Sequence, residues 1–151
     1  MTRKLALLAL TACFAGLVSM TPAVADDARL VAYMSGSAER PGPGDPDAVG
    51  RAVITINDAA NQLCVTLQYA NVDGTLSGYH IHLGPPTASG PIVVPFAIPT
   101  QPSTGVNSQC VTVENEALLD NIAANPGQYY INLHSTPNFA PGALRGQLQA
   151  A

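Results

Sequence analysis

The sequence predicts an all-β domain, an antiparallel β-sandwich or barrel that carries one short helix. Short segments alternate apolar and polar residues at a period of two, most clearly over residues 62–70, where Leu63, Val65 and Leu67 share one face. Glycine, proline and asparagine separate these segments at short intervals. A single segment has helical spacing instead, so the helix content is expected to be small.

The first part of the chain predicts three strands joined by a long loop and a hairpin turn. The loop is rich in proline and glycine, and its charged side chains predict that it lies on the surface. Those charges are Glu39, Arg40, Asp45 and Asp47. In order, the elements are a strand at 28–34, the loop at 36–50, a strand at 51–57, the turn at 57–61 and a strand at 62–70.

The middle of the chain predicts a strand at 77–83, followed by a rigid loop at 84–91 that contains two consecutive prolines. The next apolar run, 92–96, is flanked and interrupted by proline, which cannot donate to a β-ladder and therefore favours a sheet edge. A loop at 99–108 then leads to a strand at 109–113.

The single predicted helix begins after Asn115, whose side chain can cap it, with Glu116 in the first turn. Leu118, Leu119 and Ile122 form its apolar stripe, and residues 125–127 (Asn-Pro-Gly) end it. The last two strands are predicted at 128–134 and 143–149, joined by a loop at 135–141.

Residues 1–25 have the organisation of a secretory signal peptide, with a basic start, an apolar stretch and a small-residue cleavage site that ends at Ala25. An alternative is lipid anchoring at Cys13, which lies in a short lipoprotein-like sequence. The domain is then residues 26–151, and we expect a secreted or extracytoplasmic location. No second apolar run predicts a membrane span.

The charge of residues 26–151 excludes some partner classes. Four arginines remain against ten acidic residues, which gives a net charge of −6. A surface this acidic argues against nucleic acids and anionic membranes as partners. We expect an extracellular protein or a surface ligand instead.

Two cysteines remain after cleavage, Cys64 and Cys110, and both lie in strand patterns on the face opposite the main apolar residues. An even number of cysteines in an exported chain predicts a disulfide, whose loop of about 47 residues would contribute about 4 kcal/mol. The alternative is a metal site shared by cysteine and histidine.

The chain has three histidines, and they are the strongest indication of chemistry. His80 and His82 are two residues apart on one strand, so they share a face with Cα atoms about 6.7 Å apart. His134 lies on another strand, in the matching phase. If the two strands are neighbours, three imidazoles converge on the outer face of the sheet, a donor set that suits Cu²⁺ or Zn²⁺. The alternative is a structural role, in which the rings hydrogen-bond to loop carbonyls.

Arg145 shares the outward phase of the histidines, opposite to Leu144 and Leu148. Its guanidinium could attract an anion to the site or hold a loop in place. The sequence contains no motif for a catalytic nucleophile, a phosphate loop or a dinucleotide site, so no catalytic residues are predicted.

Three ordered motifs resemble the CHRD (chordin) domain over most of residues 28–149. They are Tyr79 to Gly84 (YHIHLG), Asn125 to His134 (NPGQYYINLH) and Gly142 to Leu148 (GALRGQL). The resemblance implies an extracellular β-barrel, found in animal chordin and in exported bacterial proteins, without an assigned activity.

A local resemblance links Gly78 to His82 (GYHIH) to the copper motif of Cu/Zn superoxide dismutases, and Gly142 to Arg145 to their late glycine–arginine segment. It implies an immunoglobulin-like or superoxide-dismutase-like architecture in which His80, His82 and His134 are copper ligands. The chain lacks the fourth histidine and the zinc loop of those enzymes. We therefore favour a non-enzymatic binding or structural module, and keep a copper-dependent dismutase-like enzyme as the alternative.

Overall fold

The computed structural model of the chain describes residues 28–100 and 103–151. The predicted signal peptide at 1–25 and Cys13 lie outside these residues. The described chain is one antiparallel sheet of nine strands, curled into a half-barrel, with one short α-helix, which confirms the predicted fold class. The strands are β1 (Ala28–Ser35), β2 (Val49–Asn57), β3 (Gln62–Ala70), β4 (Thr75–Leu83), β5 (Ile92–Pro95), β6 (Gly105–Thr112), β7 (Tyr129–Thr136), β8 (Phe139–Gln147) and β9 (Gln149–Ala150).

The strands lie in the order β5-β4-β7-β8-β1-β2-β3-β6, and β9 pairs with β1. Alternate residues point into the curl, where apolar side chains from all the long strands form one core. Ile54, Leu67, Tyr79, Ile131 and Leu144 belong to it and have almost no exposed surface. The predicted period-two pattern therefore identifies the inner face correctly.

The two edges of the curled sheet are linked by a side chain. The amide of Gln109 on β6 donates to the carbonyl of Ala97 at 3.0 Å and accepts from the Ala97 N–H at 2.9 Å, so it pairs with the segment after β5 as a backbone group would. The same amide donates to the Tyr79 hydroxyl. These bonds hold β5 and β6 together where no ladder joins them.

The helix α1 (Glu116–Ala124) begins as predicted. The Asn115 side chain accepts from the Leu118 N–H at 3.3 Å, and the buried Leu119 and Ile122 face the core. Three short 3₁₀ turns, Gly36–Ala38, Asp58–Ala60 and Pro126–Gln128, connect other elements. In the described residues, no helix has the length and apolarity needed to cross a bilayer.

Cys64 and Cys110 form a disulfide between β3 and β6, where the two residues are direct cross-strand partners. The predicted disulfide is therefore confirmed, and the alternative of a cysteine–histidine metal site is excluded for these two residues. Both cysteines lie on the outer face, as their phase predicted.

Two predicted loops were wrong in part. The loop at 99–108 ends earlier, because Gly105 to Ser108 pair with β3 in spite of their low strand propensity. The loop at 135–141 is only a two-residue turn, after which β8 already begins at Phe139. Pro141 is tolerated there because the register of β7 and β8 shifts between Leu133 and Ser135, which removes regular pairing opposite it.

The predicted surface position of the charged loop was also wrong for two residues. Asp45 is fully buried and accepts from the Asp73 N–H at 2.7 Å, so it fixes a neighbouring turn. Glu39 is 3% exposed. The loop packs on β8, where the Asp45 N–H donates to the Ala143 carbonyl, and this contact buries both carboxyl groups.

Candidate metal centre

The three histidines meet on the outer face of the sheet because β4 and β7 are neighbours. In the ladder, His80 lies opposite Asn132, and His134 lies opposite Gly78. The ring centroid of His80 is 5.6 Å from that of His82 and 5.1 Å from that of His134. One candidate ligand nitrogen from each of the three rings lies within 4.8 Å of those of the other two.

Irregular pairing surrounds this cluster. The register shifts between Leu76 and Gly78 on β4, between Ile81 and His82 against β5, and opposite His134 between β7 and β8. A β-bulge redirects the side chains beside it and is common next to functional sites. Gly78 also leaves space for the cluster: a Cβ atom there would lie 3.0 Å from the His80 ring and would push against it.

Two of the rings are oriented by main-chain carbonyls. The Nδ1 atom of His82 lies 2.8 Å from the Gly90 oxygen, and the Nδ1 atom of His134 lies 2.9 Å from the Ala140 oxygen. Because a carbonyl only accepts hydrogen bonds, Nδ1 must carry the proton in both rings. The lone pair of each neutral ring is then on Nε2, the arrangement usual for metal-binding histidines.

Each imidazole also has one buried nitrogen with no hydrogen-bond partner in the described part of the chain. These atoms are Nδ1 of His80, Nε2 of His82 and Nε2 of His134. Burial of a polar atom without a partner is unfavourable, and such atoms are rare in native proteins. Three of them in one cluster fit a ligand that accepts three lone pairs.

The environment of His80 and His82 lowers the pKa of both rings. Burial lowers the pKa of His80 to about 4, and repulsion by His134 and His82 adds to this. Burial also lowers the pKa of His82, although its bond to Gly90 opposes the shift. These two rings therefore keep their lone pairs at neutral pH, as binding of a metal ion requires.

Arg145 lies beside the cluster and is 1% exposed. Its guanidinium donates to the carbonyls of Pro85 at 2.6 Å and Ala88 at 3.1 Å, and its Cζ lies 3.4 Å from the centre of the Tyr130 ring. Tyr130 in turn stacks on His82, with ring centroids 4.7 Å apart. Arg145 thus holds the loop at 84–91 over the site and supports the ring that packs on His82.

Sequence reasoning missed three residues of this region. Tyr130 supports His82, and its hydroxyl accepts from the Gly90 N–H. Asn132 lies between the histidines and Glu39 and interacts with both. Glu39 is a buried carboxyl group whose pKa burial raises to about 7. The outward phase of Tyr130 and Asn132 on β7, shared with His134, was the only available signal, and nothing local marked Glu39.

The whole arrangement lies within the region that a known family model matches. The CHRD domain model matches residues 30–148, which includes strands β1 to β8 in part or in full and all three histidines. The chain belongs to the CHRD domain family. The three motifs from which the family was predicted all fall inside the match. No curated protein and no solved structure matches this CHRD domain.

Proposed function

We propose that this CHRD domain is an extracytoplasmic binding module that holds one copper or zinc ion at His80, His82 and His134. The observation that carries the proposal is the set of three buried, unpartnered ring nitrogens. A bound cation would satisfy all three at once, whereas hydrogen bonds to loop carbonyls account for only the opposite nitrogens of His82 and His134. A purely structural role therefore gives no reason for the three buried ring nitrogens that have no hydrogen bond.

The donor set fits these ions. Nitrogens bound about 2.1 Å from one tetrahedral ion lie about 3.4 Å apart, so nitrogens within 4.8 Å of one another need to move by only about 1 Å. Imidazole suits both Cu²⁺ and Zn²⁺, and for equal ligands the Irving–Williams order places Cu²⁺ above Zn²⁺. We therefore expect the tighter binding with copper.

A binding role is favoured over dismutase activity by the contacts of Arg145. An arginine that guides an anion to a metal must present N–H groups that the anion can reach, and Arg145 is only 1% exposed. In this domain two of its nitrogens donate to the carbonyls of Pro85 and Ala88, and its face covers Tyr130. The residue is thus engaged in holding the loop.

The disulfide between Cys64 and Cys110 supports a location in an oxidising compartment, to which residues 1–25 would direct the chain as a signal peptide.

The test is titration of tag-free protein, residues 26–151, with Cu²⁺ and with Zn²⁺ in an isothermal calorimeter, with glycine as a competitor for copper. We expect one ion per chain, and at least tenfold weaker binding in His134→Ala and in His82→Ala. Electron paramagnetic resonance of the copper-loaded protein should show coupling to imidazole nitrogens. The control is Tyr33→Ala, which removes an exposed aromatic ring on β1 and should leave binding unchanged.

Binding that is not saturable, or that both histidine variants retain at full strength, would exclude the site. The copper-loaded protein is assayed in parallel for consumption of superoxide. Rapid consumption that His134→Ala abolishes would replace the binding role with the enzymatic alternative.

A further inference from the structure

A second buried polar group, the carboxyl group of Glu39, also interacts with Asn132. This side chain follows the 3₁₀ turn Gly36–Ala38 and is 3% exposed. Its Oε1 atom has no hydrogen-bond partner in the described residues. A buried carboxylate that lacks full pairing is destabilising, so its presence calls for a specific explanation.

The backbone around Glu39 is shaped to hold the carboxyl group. A Cβ atom on Gly142 would lie 2.4 Å from the Glu39 Cδ, and one on Gly44 would lie 2.9 Å from its Cγ. Gly142 also has a φ of +152°, which disfavours other residues. Two glycines on separate segments therefore leave room for this one side chain.

Glu39 lines a cleft of about 310 Å³, which is open to solvent. Its walls are formed mainly by Pro41, Pro43, Pro141 and Phe139. Small-molecule sites typically have volumes of about 300–1,000 Å³, apolar walls and a few polar groups. The cleft therefore has the size and composition of a site for a short aliphatic group whose polar end lies near Glu39.

The charged groups near Glu39 do not neutralise it. Arg40, also on the cleft, donates through Nη1 to the main-chain carbonyls of Ser37 and Glu39. Arg145 donates to the carbonyls of Pro85 and Ala88. Both arginines and a hydrogen bond from Asn132 lower the pKa of Glu39, but burial outweighs them and raises it to about 7. The backbone N–H of Arg40 also opposes the shift, but no ion pair joins the carboxyl group to an arginine in the described residues.

We propose that this cleft binds an organic cation, a primary ammonium or guanidinium group on a short aliphatic stem, with the cation at Glu39 and the stem between the prolines and Phe139. This is the chemistry of lysine and arginine side chains and of free alkylamines. The site is separate from the proposed metal centre, and its test uses metal-free protein.

The test is an NMR titration of ¹⁵N-labelled protein at pH 8 with n-butylammonium, with methylguanidinium and with 1-pentanol as the uncharged analogue. We expect saturable shifts at Gly142 and Phe139 for at least one cation and none for pentanol. Affinity should fall at least tenfold in Glu39→Gln. It should fall about 30-fold between pH 8 and pH 5.5, because a carboxyl group of pKa about 7 is then almost fully protonated.

The peptides acetyl-Gly-Lys-Gly-amide and acetyl-Gly-Arg-Gly-amide distinguish the source of the cation. Tighter binding of a peptide than of its amine indicates a side chain of a partner protein, and weaker binding indicates a free amine. A measurement on the unaltered protein guards against misfolding of the variant: the ¹³C carboxyl signal of Glu39 should titrate at lower pH when the cation is present. No saturation by either cation, equal binding by Glu39→Gln, or an unchanged Glu39 titration would overturn the proposal.

Discussion

The two halves of the sheet use the same strand geometry and bury very different side chains. In the disulfide half (β1, β2, β3 and β6), one face packs on the core and the other is largely accessible, so that on β6 half-buried and exposed residues alternate along the whole strand. In the histidine half (β4, β5, β7 and β8), β7 buries its first five residues in succession. The second pattern arises because loops at 36–48 and 84–91 cover the outer face.

This covering layer explains where the unpartnered polar atoms lie. Among the described residues, buried side-chain atoms without a hydrogen bond are found on β4, β7 and β8 and in the loop at 36–48, with Tyr69 as the exception in the disulfide half. Alternation with an open outer face is sufficient to build a stable sheet. A polar outer face enclosed by loops costs stability, and both proposed sites lie there. The disulfide half therefore contributes mainly to stability, and the histidine half carries both proposed binding sites.

The largest effect is expected from removal of the disulfide, in the half assigned to stability. The double variant Cys64→Ala/Cys110→Ala removes the cross-link between two residues that are 46 positions apart, so the unfolded chain gains conformational freedom. We expect the free energy of unfolding, measured by urea titration with circular dichroism, to fall by about 4 kcal/mol. The imidazole signals of the three histidines should be unchanged in the folded variant. A loss below about 1 kcal/mol would contradict the stabilising role of the disulfide half. Displaced imidazole signals would show that the histidine site depends on the disulfide.

The same division explains what the sequence could predict. The strands of the disulfide half, apart from the first four residues of β6, follow from local alternation. The disulfide between Cys64 and Cys110 follows from an even number of cysteines in a chain that is expected to be exported. The histidine cluster followed from phase as well, once β4 and β7 were assumed to be neighbours. The two roles considered for Arg145 could not be separated, because its partners, the carbonyls of Pro85 and Ala88, lie about sixty residues away in the chain.

Glu39 shows most clearly what the sequence alone could not predict. A charged residue in a loop rich in proline and glycine is usually solvated, and nothing in residues 36–50 indicates burial. The burial results from Gly142, more than a hundred residues later, whose missing Cβ makes room for the carboxyl group. Loop packing of this kind depends on tertiary contacts, which local patterns do not encode.

A smaller and pH-dependent effect is expected from Glu39→Gln. The pKa of Glu39 is about 7 in the folded protein against a usual value of 4.5, so the folded state binds the additional proton between these values. Stability attributable to this group is therefore present below pH 4.5 and lost as pH rises through 7. Glutamine removes the loss, so the variant should be more stable than the original by about 3 kcal/mol at pH 8 and about equal at pH 4.5.

The control for this comparison is Glu114→Gln, which changes an exposed carboxyl group before α1. Its effect on thermal and urea unfolding should be small and nearly the same at both pH values. Equal pH profiles for the two variants would mean that Glu39 is solvated in solution. Its carboxyl group would then not destabilise the enclosed face.

The smallest effect comes from one substitution, serine to alanine, made once in each half. Ser135 on β7 is fully buried, and its hydroxyl donates to the Asp73 carbonyl at 2.6 Å. Ser108 on β6 is exposed and shares a hydrogen bond of 3.0 Å with Thr66. Loss of a buried bond leaves the carbonyl unpaired, so Ser135→Ala should cost about 1–2 kcal/mol. Water replaces the exposed bond, so Ser108→Ala should cost no more than about 0.5 kcal/mol.

Urea unfolding of both serine variants at pH 7 measures the difference directly, and hydrogen exchange at the Asp73–Gly74 turn shows whether the lost bond loosens only its own surroundings. Equal costs would show that water reaches the Ser135 site as easily as it reaches Ser108. Water would then enter the histidine half as easily as it reaches the open face of β6, and the difference in burial between the two halves would not hold in solution. A clear difference between the two serines is therefore the least disruptive way to establish that a buried polar group in the histidine half is shielded from water, as an exposed group in the disulfide half is not.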